Sequence, residues 1–350
     1  MDLISSHIDE SVPDLSGMTE PELEGFISHL GKEKYRAAQI MKWVHQGLAS
    51  SFQEMTNLSK VLRTELSARA TILEPDVQDI VRSTDGTVKF LLKLRDGFRI
   101  ETVYIPGEDH DTLCVSSQVG CSMQCRICRT AAMGFARNLT AGEILSQIRT
   151  VRKVVPDSRI TNVVFMGMGE PLANFHQVVK AIQIMTHPNG PQISSRHVTV
   201  STAGLVPRIR ELGLAVRAKL AVSLNAVTDE QRDRIMPINR TYPIAQLMAA
   251  LKDYPLARRD RITIEYVLIR DFNDSDADAR HLVRLLNPIR AKVNLIPLHD
   301  EACADLRSPE PARVTRFQDI LMSKSLVAII RKSRGRDILA ACGQLASEAR

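Results

Sequence analysis

Three cysteines stand close together in one short segment of the chain, with the spacing Cys121-x-x-x-Cys125-x-x-Cys128. Three thiolates from a single loop can hold a four-iron cluster in which one iron has no protein ligand. That iron can chelate the amino and carboxylate groups of S-adenosylmethionine and pass an electron to its sulfonium. The spacing therefore predicts a 4Fe–4S cluster that starts radical chemistry.

A zinc site is the alternative interpretation of the same three cysteines. Structural zinc takes four closed ligands, often from two Cys-x-x-Cys pairs. The other cysteines, Cys114, Cys303 and Cys342, stand outside this segment. An iron–sulfur cluster with one open position therefore fits the pattern better.

The segment Gly167-Met-Gly-Glu-Pro171, directly after an apolar run, has the residue types of a binding site. Glycines permit close approach to the backbone, and the Glu170 carboxylate can receive the ammonium group of an amino-acid ligand. Taken alone, the segment could equally be a tight turn. Beside the three cysteines it favours a site for S-adenosylmethionine, with Ser201, Ser223 and Asn225 available to bind ribose and carboxylate.

Short apolar strands alternate with amphipathic helices from residue 113 onward, which predicts parallel strands with outer helices. Six strands are predicted over residues 113–116, 162–166, 197–201, 219–224, 263–268 and 292–296, with a further edge strand over 327–330. Such strands close toward a barrel whose active site lies at their carboxyl ends. The segments singled out above follow these strands, so we expect them to meet.

The N-terminal part predicts a smaller unit. Thr19 and Glu22 have capping-box spacing, a second helix is expected over about 33–46, and the runs 88–94 and 98–105 predict an antiparallel meander. The predicted fold class is α/β: a partial (β/α)6 TIM-like barrel with a small N-terminal helical and antiparallel β accessory domain. The expected division is a flexible tail over 1–15, the accessory domain over 16–106, the barrel over 107–332 and a C-terminal segment over 333–350.

The composition is that of an ordinary globular chain, with 350 residues of which 44% are hydrophobic. No apolar run is long enough to cross a bilayer, and the first ten residues carry acids where an export signal carries basic residues. Six cysteines in a chain of this length indicate a reducing compartment. We therefore expect a cytoplasmic protein without membrane contact.

The net charge of +6 is compatible with a polyanionic partner. Basic residues concentrate in three places, namely Lys32, Lys34, Arg36 and Lys42, then Arg208, Arg210 and Arg217, and finally Arg331, Lys332, Arg334 and Arg336. Charge alone is weak evidence, since most such excesses are a solvated surface.

Seven motifs distributed along the chain carry a family resemblance. They lie at residues 100–106, 113–121, 134–138, 166–172, 235–239, 293–297 and 341–345. Together they resemble the radical S-adenosylmethionine RNA methyltransferases that methylate C2 of adenosine in 23S ribosomal RNA and in transfer RNA. The resemblance runs from about residue 30 to residue 345 and implies a barrel of the radical S-adenosylmethionine type.

The resemblance implies a mechanism that uses two molecules of S-adenosylmethionine per turnover. Cys342 takes a methyl group from one molecule, and a 5′-deoxyadenosyl radical from the other removes hydrogen from the methylated sulfur. The methylene radical adds to C2, which is too electron-poor to attack a sulfonium methyl. Glu101 then removes the C2 proton, and Cys114 attacks the Cys342 sulfur to form a disulfide and release methylated RNA.

The resemblance also implies cofactor contacts and partners. The cofactor positions are Gly169, Glu170, Ser201, Ser223, Leu224, Asn225 and His299. Three positions depart from the family pattern: Ile127 replaces an aromatic residue before the third cysteine, Asn225 replaces His, and His299 replaces Asn. The implied partners are 23S ribosomal RNA, transfer RNA and an external electron donor such as flavodoxin, with the protein acting as a monomer.

An adenine edge is unreachable in a stacked helix, so the substrate should be an extruded or unpaired base in a loop. We expect the N-terminal unit and residues 331–336 to bind RNA phosphates. Three alternatives stay open at this point. They are a relative that methylates C8, an iron–sulfur protein that only transfers electrons, and a zinc-containing RNA-binding module.

Overall fold

The computed structural model describes residues 12–298 and 305–346. Its strands are β1 (Asp76–Arg82), β2 (Val88–Lys93), β3 (Arg99–Ile105), β4 (Asp111–Cys114), β5 (Gln118–Gly120), β6 (Phe135–Asn138), β7 (Ile160–Phe165), β8 (Val198–Thr202), β9 (Lys219–Ser223), β10 (Ile262–Leu268), β11 (Ala291–Pro297) and β12 (Ala328–Ile330). Its helices are α1 (Glu20–His29), α2 (Tyr35–His45), α3 (Lys60–Arg69), α4 (Arg129–Ala132), α5 (Ala141–Val154), α6 (Phe175–Thr186), α7 (Val206–Ala215), α8 (Asp229–Ile235), α9 (Ile244–Lys252), α10 (Asp276–Leu286) and α11 (Pro311–Met322).

The parallel part of the sheet confirms the predicted fold class. The strands β4, β7, β8, β9, β10 and β11 lie side by side in that order, every neighbouring pair is parallel, and β12 adds a short parallel edge. Each observed strand end lies within two residues of its predicted position. Apolar runs between well-capped helices were enough to predict these strands, because parallel strands are buried on both faces of the sheet and are therefore apolar along their length.

The antiparallel meander is part of the same sheet. The ten-stranded sheet runs in the order β1-β2-β3-β4-β7-β8-β9-β10-β11-β12. Strand β3 joins the barrel by pairing antiparallel with β4, and Val103 lies opposite Cys114. The inner face of the barrel therefore continues onto β3 and β2. The sequence patterns did not predict β1, α3 or the small β5–β6 hairpin.

The N-terminal helices begin as their caps predict. Thr19 and Glu22 form the expected capping box at the start of α1, and α2 buries Ile40 and Val44. Leu15, which the expected tail includes, is buried and donates its N–H to the Thr71 carbonyl. The folded part of the chain therefore includes the end of the expected tail. Residues 1–11 of that tail lie outside the described residues.

The described helices are all too short or too polar to reach across a bilayer. The longest of them, α5, has 14 residues and carries charged side chains.

Candidate active site

The segments singled out in the sequence meet in one cavity at the carboxyl ends of the parallel strands. We call it the cofactor cavity. Its predicted lining residues are Cys121, Cys125, Cys128, Gly169, Glu170, Ser201, Ser223 and Asn225, and Cys342 also borders it. The barrel topology thus brings together side chains that are more than 200 residues apart in the chain.

The three-cysteine loop is fixed by backbone contacts on both sides. Gly120 opens it with φ +73°, and a Cβ there would lie 1.9 Å from the Gly134 carbonyl oxygen, so only glycine fits. Arg126 donates its N–H to the Ile235 carbonyl at 2.9 Å, and Cys128 donates to the Cys125 carbonyl at 3.1 Å. These bonds turn the cysteines toward the cavity.

The electrostatics of the Cys121 and Cys125 thiols fit a positively charged occupant. Burial raises the pKa of the Cys121 thiol to about 12, and the nearby charges of Glu170 and Cys128 also raise it. Burial, together with the neighbouring thiolates, raises the pKa of Cys125 well above its usual range. Ionising these thiols together requires compensation, and an iron–sulfur cluster provides it.

The number of thiolates in the three-cysteine loop bears on the choice between zinc and a four-iron cluster. Within residues 12–298 and 305–346, no three His, Cys, Asp or Glu side chains converge closely enough to hold a single metal ion. A structural zinc ion needs four such ligands around one point, whereas a four-iron cluster takes its thiolates at separate iron atoms. The segment offers one thiolate fewer than structural zinc takes, which matches a cluster with one open iron.

Glu170 is buried and held in place by backbone donors. Its Oε1 accepts the N–H of Leu172 at 3.0 Å, and its Oε2 accepts the N–H of Ala203 at 2.7 Å. Burial raises the pKa of this carboxyl, and these hydrogen bonds counteract the rise. Gly169 precedes it with φ +99°, where a Cβ would lie 2.5 Å from the Gln118 side chain. The turn therefore presents an oriented carboxylate to the cavity.

Arg232 fixes the loops that follow β8 and β9. It is fully buried on α8, and burial lowers its pKa to about 10. Its Nε donates to the Leu224 carbonyl at 3.0 Å, and its Nη2 donates to the Ala203 and Ser223 carbonyls at 2.6 and 3.2 Å. Sequence reasoning missed this residue, because an arginine on a polar helix gives no signal of burial.

The remaining predicted cofactor residues differ in what they offer. The Leu224 side chain is buried in the hydrophobic core, so only its backbone can approach a ligand. Asn225 has φ +58°, and its Oδ1 accepts the Val267 N–H at 2.9 Å. Its Nδ2 lies 3.2 Å from the Met236 sulfur. His299 lies outside the described residues, as does Cys303.

Ile127 borders the cofactor cavity and packs in a small apolar cluster with Cys125, Ile235, Met236 and Leu298. The position therefore contributes dispersion where the family pattern has an aromatic ring.

Cys114 and Cys342 share a second cavity inside the barrel, which we call the barrel cavity. Cys114 ends β4 and is buried, and burial raises its pKa strongly, with the Cys342 thiolate as the next cause. Cys342 is exposed where the two cavities meet. Desolvation of the thiol by the surrounding protein, together with the Glu265 carboxylate, raises the pKa of Cys342 to about 11. Cys114 and Cys342 thus line one cavity.

Residues 333–346, which we call the carrier segment, hold Cys342 between anchored ends. The Arg129 N–H donates to the Gly343 carbonyl at 2.8 Å, and the Thr130 hydroxyl donates to the Leu345 carbonyl at 2.6 Å. Gly335 donates its N–H to the Asp85 carboxylate at 2.9 Å. The segment therefore bridges the cluster loop and the β1–β2 turn.

Glu101 lies on β3, on the same face as Cys114, and is buried. Its Oε1 is 3.0 Å from Lys89 Nζ, and its Oε2 accepts the Ala346 N–H at 2.9 Å. Glu101 thus contacts the carrier segment at Ala346, four residues beyond Cys342.

Glu265 is a further residue that sequence reasoning missed. It lines both cavities and accepts a hydrogen bond from Asn294 Nδ2 at 2.8 Å. Burial raises its pKa, against that hydrogen bond and the nearby charge of Arg331. The sequence feature that could have identified Glu265 is that it is the one acidic residue within the apolar run of β10.

The basic residues expected to bind RNA fall into two groups. Lys34 is exposed, and the Arg36 guanidinium stacks 4.6 Å from the Tyr35 ring centroid. Arg334, in contrast, donates to the carbonyls of Asp85 and Pro106 at 3.1 and 3.0 Å. Its guanidinium thus serves to anchor the carrier segment.

Comparison with known proteins adds independent evidence. The sequence profile described as "Ribosomal RNA large subunit methyltransferase N-terminal domain" matches residues 13–72, and the profile "Radical SAM superfamily" matches residues 115–283. A protein of Syntrophotalea carbinolica named "Dual-specificity RNA methyltransferase RlmN" is 52% identical over 95% of this chain and 89% of its own length. One of the same name from Geobacter sulfurreducens is 52% identical over 96% and 92%.

A solved structure agrees with these relatives. The crystal structure of a radical SAM methyltransferase from Sphaerobacter thermophilus superposes with a TM-score of 0.91 at 42% identity. The match covers 96% of this chain and 100% of that one.

Proposed function

Because this chain belongs to the RlmN family of dual-specificity RNA methyltransferases, we propose that it methylates C2 of adenosine in 23S ribosomal RNA and in transfer RNA through Cys342. It is a radical S-adenosylmethionine enzyme, and its family membership implies a 4Fe–4S cluster and S-adenosylmethionine as cofactors. The observation that carries the proposal is the position of Cys342, which borders both the cofactor cavity and the barrel cavity.

The residues of the cofactor cavity fit both cofactors. Cys121, Cys125 and Cys128 would hold the cluster, and Glu170 would receive the ammonium group of S-adenosylmethionine. When bound, these groups supply a methyl group and a 5′-deoxyadenosyl radical. The position of the three cysteines in the lining of the cofactor cavity and the oriented Glu170 carboxylate support this assignment.

Cys342 acts as the methyl carrier in this proposal. Its thiol must lose a proton before its sulfur can displace the methyl group, and a pKa of about 11 makes that ionisation unfavourable in the free protein. A sulfonium bound in the adjoining cavity would favour the thiolate electrostatically. Because Cys342 borders both cavities, its sulfur can then face the cofactor on one side and the RNA base on the other.

Glu101 and Cys114 complete the reaction. The radical adduct must give up one electron, for which the cluster would be the acceptor. Glu101 takes the proton from C2 of the adduct, and the electron pair of that C–H bond stays in the ring. The Cys114 thiolate then attacks the Cys342 sulfur, so that an S–S bond forms and the S–CH2 bond breaks. The electron pair passes to the methylene carbon, which takes a proton to become the methyl group. Cys114 and Cys342 line the same cavity, which supports this pairing.

The setting of the enzyme follows from the same proposal. Its RNA base must be extruded to reach the barrel interior. We place the enzyme in the cytoplasm as a monomer that receives electrons from an external donor such as flavodoxin. We further assign residues 16–106 to RNA handling, 107–332 to the radical barrel and 333–350 to methyl transfer.

A trapped intermediate tests the proposal. Anaerobically reconstituted Cys114→Ala protein with labelled S-adenosylmethionine and RNA should accumulate a covalent protein–RNA species, because no thiol can release it. Cys342→Ala should form none, and Cys303→Ala serves as the matched control. Product analysis of the unsubstituted protein should give 2-methyladenosine. Methylated RNA formed without Cys342, or 8-methyladenosine as the product, would contradict the proposal.

A further inference from the structure

Lys89 lies beside Glu101 and has no role in the steps above. The strands β2 and β3 pair so that Lys89 faces Val103 and Leu91 faces Glu101, which makes Lys89 and Glu101 diagonal neighbours on one face. Lys89 Nζ lies 3.0 Å from Glu101 Oε1, and the two side chains are only 16% and 6% exposed. Burying such an ion pair costs free energy, since both charged groups lose their hydration water.

The pair also contacts the carrier segment on both sides of Cys342. Lys89 Nζ donates to the Leu339 carbonyl at 3.4 Å, and the Ala346 N–H donates to Glu101 Oε2 at 2.9 Å. Each carboxylate oxygen therefore accepts one hydrogen bond, one from a side chain of the sheet and the other from the backbone of the segment. Each oxygen keeps a second lone pair, on which Oε2 can accept a proton.

We propose that Lys89 is a positioning residue for the deprotonation of the RNA adduct. The inference rests on the proposed roles of Cys342 and Glu101. When RNA is attached to Cys342, Lys89 holds Oε1 of Glu101, so that Oε2 stays aimed at the C2 proton. The proton passes from C2 to Oε2, and no further reactant is needed.

The Lys89→Gln variant tests this role, with Lys93→Gln as the matched control on the same face of β2. Lys89→Gln should methylate Cys342 to the unsubstituted extent, as read by mass spectrometry of the protein. Its covalent RNA adduct should accumulate. Turnover should fall about tenfold or more, but by no more than the ~10²–10⁴-fold that a general base itself contributes. Lys93→Gln should do neither, and Lys89→Arg should restore most of the turnover.

A double variant keeps the test informative if Lys89→Gln folds poorly. Lys89→Gln with Glu101→Gln leaves no unpaired charge in the site and should turn over no more slowly than Glu101→Gln alone. The inference is wrong if the effects of the two substitutions multiply, if Lys89→Gln behaves like Lys93→Gln, or if it loses Cys342 methylation as well. A Glu101→Gln protein that accumulates no adduct would instead contradict the proposed function.

Discussion

The loops that bind the cofactor and the segment that carries Cys342 are built in opposite ways. The first are fixed from within by a buried arginine, Arg232, and by the buried carboxylate of Glu170. The carrier segment is anchored at Gly335 and again at Gly343 and Leu345, while Cys342, next to the second anchor, is exposed between two cavities. A cofactor site benefits from a fixed geometry, whereas a methyl carrier must face a cofactor, a base and a thiol in turn.

The largest expected difference between the two regions is the effect of removing a cysteine on the iron content of the protein. Cys128→Ala should lose cluster iron and all production of 5′-deoxyadenosine, because three thiolates are the minimum that holds the cluster. Cys342→Ala should abolish RNA methylation and yet retain iron and sulfide contents equal to those of the unsubstituted protein. Iron analysis after anaerobic reconstitution checks both variants. Loss of iron in Cys342→Ala would show that the two regions are not separable.

Arg232→Met tests whether the cofactor loops depend on their buried cation. The substitution leaves the Leu224, Ala203 and Ser223 carbonyls without their donor. We expect the free energy of unfolding to fall by about 3 kcal/mol, since each unsatisfied buried group costs ~1–3 kcal/mol. Denaturant unfolding measures this change, and S-adenosylmethionine binding should weaken in parallel. The exposed Arg234→Met on the same helix is the control and should change either quantity little.

The two regions also differ in how far the sequence alone predicts them. The cysteine spacing, the glycines before Glu170 and the apolar strands predict the cofactor cavity, because each depends on local chemistry or on period. The buried Arg232 and the Lys89–Glu101 pair could not be predicted in this way. Their partners are main-chain carbonyls or residues of a strand whose register is set by the whole sheet.

Asp337→Asn should loosen the carrier segment without disturbing the cofactor loops. The Asp337 carboxylate accepts the Ser83 hydroxyl at 2.5 Å and the Thr84 N–H at 3.1 Å, which ties the segment to the β1–β2 turn. We expect turnover to fall about two- to tenfold, as for loss of one hydrogen bond. Iron content and S-adenosylmethionine affinity should be unchanged. Steady-state rates at saturating RNA measure the effect, and a parallel loss of iron would contradict the separation.

The smallest effect concerns the basic residues outside both regions. At the start of α2, Lys34 is exposed and Arg36 is half-buried. Arg334, in contrast, donates a hydrogen bond to the Asp85 carbonyl in the β1–β2 turn. Lys34→Glu with Arg36→Glu should reduce the salt dependence of RNA binding by about 0.7 in log–log slope for each phosphate that the protein no longer neutralises. Arg280→Glu with Arg284→Glu, on the outer helix α10, changes the net charge equally and is the control. Equal slopes in the two double variants would mean that net charge, and not the N-terminal unit, attracts RNA.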